Sequence, residues 1–121
     1  MKLPVTFRAL GASITIEEKK ISALGQWDER TGSIALNPDQ EEMGKFIILI
    51  HEAMHVVETM MLQNKSLKRR VNHDFISGAA YGLAAILVHA GAVEGFTAKD
   101  WKKWNKKKWK TDESPKKRRR S

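Results

Sequence analysis

No cysteine occurs among the 121 residues. That excludes disulfide scaffolds, thiolate-held zinc, iron–sulfur clusters and thiol nucleophiles in one step, and it fits a reducing compartment. An apolar run of membrane-spanning length is also missing. The longest, Gly78–Ala92, holds 15 residues with Tyr81 and His89 inside it, against the roughly 20 that a span needs. The start, Met1-Lys2-Leu3-Pro4-Val5-Thr6-Phe7-Arg8, lacks the apolar core of a secretory leader. No internal repeat is visible. These absences predict a soluble, cytoplasmic protein with no membrane partner. What remains is an ordinary globular composition, 41% apolar, in a length that suits one core.

The formal charge of +8 is unevenly placed. Residues 1–98 carry 10 basic and 11 acidic side chains, and residues 99–121 carry 12 and 3. A near-neutral body therefore ends in a segment of net charge +9. We place the boundary between a body, 1–96, and a basic Trp/Lys-rich helix with a disordered tail, 97–121.

Strand composition dominates the first 36 residues. Val5, Phe7 and Ser13–Ile16 flank a turn at Gly11, and Leu24–Trp27 leads through Asp28–Gly32 into Ser33–Leu36. This predicts three or four short, mostly antiparallel strands. After Pro38, Asp39 and Glu42 have capping-box spacing, so a helix is expected from there to about Gln63. Phe46, Ile47, Leu49, Ile50, Met54, Val57, Met61 and Leu62 surround much of that helix, which suits a central position. Asn72 is the expected N-cap of a second helix ending near Ala90. Its small residues, Gly78 and Gly82 among them, predict close approach to the first helix. Thr97 and Asp100 form another capping box, opening a third helix. The fold class is α+β: a small, mostly antiparallel sheet packed on a central helix and a second, small-residue helix.

The central helix carries His51-Glu52-Ala53-Met54-His55, the pattern H-E-x-x-H. Residues four apart project from one helical face, so two imidazoles can grip one zinc ion. Glu52, one position round, can reach a water on that zinc. Zinc would bring the water's pKa to roughly 7, and Glu52 would take its proton and return it to a leaving amine. Two satisfied core histidines beside a buried Glu form the plainer alternative. That trio, buried without a metal, carries a cost unless fully hydrogen-bonded.

Catalytic zinc needs a third protein ligand and an open fourth position. Glu58 shares the helix face of His55. Three ligands on one straight helix fit a tetrahedron poorly, so Glu58 suits a hydrogen bond to a ligating histidine better than ligation. His73 and Asp74 open the second helix, and either could close the site. His73 is favoured, because Asp74 also suits a helix N-terminus without any metal. Tyr81 could donate to an oxyanion, although core packing is the better explanation of it. His89 reads as a satisfied core histidine.

The order of short strands, Ser33-Ile34-Ala35-Leu36-Asn37-Pro38, the His51–His55 helix and a small-residue helix resembles the compact zincin metallopeptidases of phages and prokaryotes, the minigluzincin-like and ImmA/IrrE-like proteins. The resemblance covers about residues 3–90. It implies a zinc-dependent peptidase that acts on peptide or protein substrates, in the host cytoplasm if phage-encoded. His51 and His55 would be ligands and Glu52 the base. Many relatives carry Glu early on the next helix as third ligand, where this chain has His73 and Asp74. The resemblance also implies an edge strand along the cleft, here Ser33–Leu36, that binds an extended peptide by strand addition.

The tail lies outside that resemblance. Lys102, Lys103, Lys106, Lys107, Lys108, Lys116, Lys117, Arg118, Arg119 and Arg120 could neutralise DNA or RNA phosphates. Trp104 and Trp109 interleave with lysines as stacking platforms do. Trp101 and Trp104 could equally dock the third helix. The alternative function is thus a nucleic-acid-binding protein of phage type whose zinc site is structural or degenerate.

Overall fold

The computed structural model describes residues 5–9 and 11–107. Four strands, β1 (Val5–Ala9), β2 (Ala12–Glu18), β3 (Gly25–Asp28) and β4 (Ser33–Leu36), precede two long helices, α1 (Glu42–Gln63) and α2 (His73–His89). Residues 98–107 are also helical. The α+β class is as expected. The strands form one sheet in the order β1-β2-β4-β3. Each hairpin, β1–β2 and β3–β4, is antiparallel, and the two are joined by parallel pairing of β2 with β4. Gly32 closes the second hairpin at φ 66°, a conformation that side chains disfavour. A Cβ there would also lie 2.8 Å from the Ser13 carbonyl oxygen, so two separate demands select glycine.

Paired residues share a face of the sheet. The register therefore sets Val5, Ile16, Ile34 and Trp27 in one row, with Phe7 and Ile14 on the same side. Helix α1 packs on β3 and β4. Ile14, Ile34 and Leu36 lose essentially all exposure there, together with Val56 of α1. Each such side chain contributes roughly 1.5–3 kcal/mol on burial. Strand β1 receives less cover, and Val5 and Phe7 stay 42% and 39% exposed. From residue 43 to 62 only Val57 of α1 is exposed, which agrees with a central helix. By length and composition alone α1 could also cross a membrane, a test that the core helix of a soluble protein passes as well.

Four expectations need correction. Helix α1 begins at Glu42 with Glu41 as N-cap, and no side chain caps it. Asp39 is not the cap, because its segment is committed to the preceding loop. Asn37 Nδ2 donates to the Ile21 carbonyl at 2.7 Å, Gln40 Nε2 donates to that of Leu24 at 3.0 Å, and the Asp39 amide bonds Asn37 Oδ1 at 2.9 Å. Ser33–Leu36 is not an edge strand. It lies between β2 and β3, so β3 and β1 are the edges. The glycines of α2 do not mark a close approach: a Cβ on Gly78 or Gly82 would meet nothing within 4 Å, and the buried small residues are Ala80 and Ala84. His89 is exposed rather than in the core.

The chain divides into two compact units, Met1–Ala84 and Ala85–Ser121. Within the second, Thr97 and Asp100 form the expected reciprocal capping box: the Thr97 amide donates to Asp100 Oδ2 at 2.9 Å, and the Asp100 amide to Thr97 Oγ1 at 3.1 Å. His89 Nδ1 donates to the Ala85 carbonyl at 2.8 Å. The Trp101 ring, 5% exposed, lies 5.5 Å from Trp104 and 6.5 Å from His89 between centroids.

Candidate metal centre

Helix periodicity brings His51 and His55 together, with their Nε2 atoms 3.2 Å apart. Two nitrogens bound tetrahedrally to zinc at about 2.05 Å would be separated by about 3.3 Å, so this spacing suits a shared ion without rearrangement. The start of α2 supplies the third ring. Asn72 caps that helix, accepting the Asp74 amide at 2.7 Å, and His73 projects from its first turn. The His73 ring centroid lies 4.8 Å from that of His51 and 5.7 Å from that of His55. One nitrogen from each of the three residues falls within 4.8 Å of the others. The third member of the cluster is His73, and Asp74 is not part of it.

Glu58 sits behind His55. Its Oε1 lies 3.2 Å from His55 Nδ1. A carboxylate only accepts, so Nδ1 carries the proton and the Nε2 lone pair faces the cluster. The other oxygen accepts the Val71 amide at 2.6 Å, and Arg70 donates to Oε1 at 3.4 Å. At 3% exposure, burial pushes the Glu58 carboxyl upward. The bonds from His55 and Val71, with the charges of His55 and Arg70, outweigh it and hold the group below the usual range. One carboxylate thus orients His55 on α1 and ties down the segment two residues before His73.

Glu52 lies on the β3 side of α1. It is buried, which raises its carboxyl above the usual value, although nearby His55 and His73 and the Trp27 amide favour the ionised form. Strand and helix approach closely here. A Cβ on Gly25 would collide with Ile48 Cγ2 and lie 3.2 Å from Glu52 Cγ. Trp27 Nε1 donates to Thr59 Oγ1 at 3.2 Å and anchors the same seam. His51 is pulled below its ordinary pKa, first by burial and then by His55 and His73. A neutral imidazole is the form that binds metal.

Gly25, Trp27, Thr59, Arg70 and Val71 are the participants that sequence reasoning missed. A glycine inside a strand signals close backbone approach, and that hint was available for Gly25. The Val71 amide left no signal in residue type. Tyr81 is half-buried in α2, eight residues beyond His73 and so about 12 Å further along the axis. Lys102, Lys103, Lys106 and Lys107 are exposed and Trp104 half-buried. Lys108, Trp109, Lys116, Lys117, Arg118, Arg119 and Arg120 lie outside the described residues.

The donor set is chemically coherent: three imidazoles, one with its tautomer set by a buried carboxylate, suit a borderline-soft divalent ion. The chain matches no family model, and neither a curated protein nor a solved structure matches it. The conclusion rests on the geometry itself: His51, His55 and His73 form a cluster that could hold a metal ion.

Proposed function

We propose that this chain is a zinc-dependent metallopeptidase of the zincin type. The observation that carries the reading is the three-histidine cluster with the buried carboxylate of Glu52 one residue from His51. Zinc, when bound, supplies Lewis acidity and makes water a better proton donor. Glu52 accepts that proton and returns it to the leaving amine. Its burial favours the exchange, since a raised carboxyl pKa makes a stronger base. Glu58 keeps the His55 Nε2 lone pair aimed at the ion. An extended peptide is laid along β3, the edge strand nearest Glu52, in place of Ser33–Leu36.

Metal content and hydrolysis separate the roles. His51→Ala should abolish stoichiometric zinc in protein purified without added metal. Glu52→Gln should keep the zinc and lose hydrolysis of a casein-type substrate by at least a hundredfold. Unchanged zinc in the first variant, or equal activity in the second, would overturn the assignment.

A second reading, attachment to nucleic acid, is favoured by one feature. Lys99, Lys102, Lys103 and Lys106 are all exposed on the helix of residues 98–107. Their spacing puts them on one face, away from buried Trp101. Such a row suits phosphates and predicts salt-steep binding. Changing all four to Glu in the full chain should weaken binding to duplex DNA at low salt. Unaltered affinity counts against this role.

A further inference from the structure

The first unit contains an apolar groove that shares Glu58 with His55. It has a volume of about 160 Å³, with walls formed by Met54, Val57 and Met61 of α1, Leu67 and Val71 of the connecting segment, and Phe75 of α2. Glu58 also lines it, but that carboxylate is turned to His55, Arg70 and Val71. Two large apolar side chains at the groove remain in water, Val57 at 52% and Phe75 at 64% exposure. Both line the same groove, so their exposed apolar surface is gathered rather than scattered singly. A cavity of about 150 Å³ holds a benzene ring, so this one suits a single Leu- or Phe-sized side chain.

The surrounding charge narrows the occupant. Lys65, Lys68, Arg69 and Arg70 crowd the segment that supplies Leu67 and Val71, with Asp74 the one acidic side chain between residues 59 and 80. Leu67 and Val71 are partly buried, whereas Lys68, Arg69 and Arg70 are exposed. The groove is therefore apolar within and positive along one rim. The +9 segment of residues 99–121 has the same sign of charge and so is a poor electrostatic match for that rim. The walls offer no donor to a phosphate.

We infer that this groove binds an acidic peptide through one apolar anchor, a Leu- or Phe-sized residue flanked by Asp or Glu. Because Glu58 is shared by the groove and by His55, the anchored peptide passes next to the metal centre. Taking that peptide as substrate rests on the metallopeptidase reading above, whereas its binding does not.

The test uses full-length Glu52→Gln protein, so that hydrolysis cannot interfere, and fluorescence anisotropy with three dye-labelled peptides. One carries Leu between acidic residues, one has that Leu replaced by Gly, and one has the same Leu between lysines. The acidic Leu peptide should bind at least about tenfold more tightly than either control. Val57→Asp, and separately Lys68→Glu with Arg69→Glu, should each remove that preference while zinc content stays unchanged. Equal affinity for all three peptides overturns the inference, as does Val57→Asp without effect. So does sedimentation showing a dimer that Val57→Asp dissociates, since a second copy then fills the groove. The wild-type protein tells the two readings apart. Preferential binding without cleavage of any peptide leaves the groove standing and sinks the peptidase. Cleavage of all three at equal rates does the reverse.

Discussion

Glu58 shows how much one side chain can hold in place. Its two oxygens meet the His55 ring, a guanidinium and a backbone amide. Removing it would leave His55 free to rotate and the Val71 amide without its acceptor. Glu58→Gln should therefore lower zinc affinity by about 10–100-fold, measured by competition with a coloured chelator, while far-UV circular dichroism is unchanged. Affinity equal to wild type would reduce Glu58 to a packing residue. Spacing along the chain made His51 and His55 legible, because four residues is a helical repeat. It could not separate His73 from Asp74, since both open the same helix. The fold separates them: the His73 ring reaches its partners, whereas the Asp74 amide serves the Asn72 cap and its carboxylate stays exposed. Gly25, Thr59 and Val71 stayed hidden because their roles depend on a strand or loop arriving from elsewhere.

Between elements, Lys45 joins the sheet to α1. Its ammonium, almost wholly buried, bonds Glu18 of β2 and, at 2.8 Å, Glu42 of its own helix. The bond that Lys45 donates to Glu18, then that to Glu42, raises Lys45 above 10.5, and the bond from Lys45 lowers Glu42 below 4.5. The signs give a plateau. Glu42 contributes stability that is complete above pH 4.5 and is lost as pH falls through its lower folded value. Lys45 contributes stability that is complete below pH 10.5 and is lost as pH rises through its higher folded value. The cluster's own contribution, read as the difference in urea midpoint between wild type and Lys45→Met, should be flat between those limits and fall outside them. Lys45→Met should flatten the acid limb, and a limb as steep as wild type would refute the cluster's role. Elements themselves were largely readable, with both hairpins, both long helices and the Thr97–Asp100 box close to expectation. Hairpin turns announce which strands are local partners. They do not announce which strand of one hairpin meets the other, so nothing in the turns corrects the edge position that the resemblance implies for Ser33–Leu36.

At the scale of the whole molecule, the three-histidine cluster joins elements far apart in the sequence. An ion held there by α1 and the start of α2 would bind the folded chain in preference to the unfolded one. At free zinc a hundredfold above its Kd, it should add about 2.7 kcal/mol of stability. Chelation should accordingly lower Tm by several degrees in differential scanning calorimetry, and His73→Ala should show no such response. A chelator-insensitive wild type would mean that the three rings hold no ion in solution. Protons compete for the same nitrogens, so zinc affinity should fall as pH drops.

The parallel seam between β2 and β4 carries a consequence for how the chain can diversify. Among the described residues, none of those gathered at the three histidines comes from β1 or β2. The first hairpin supplies Ile14 and Ile16 to the core, Glu18 to Lys45 and a carbonyl beside Gly32. Its obligations are shape and an apolar face, and many sequences meet them. The second hairpin and the two long helices have no such latitude, because Gly25, Trp27, Glu52 and Glu58 each answer to a particular neighbour. Drift should accumulate on one side of the seam and stall on the other.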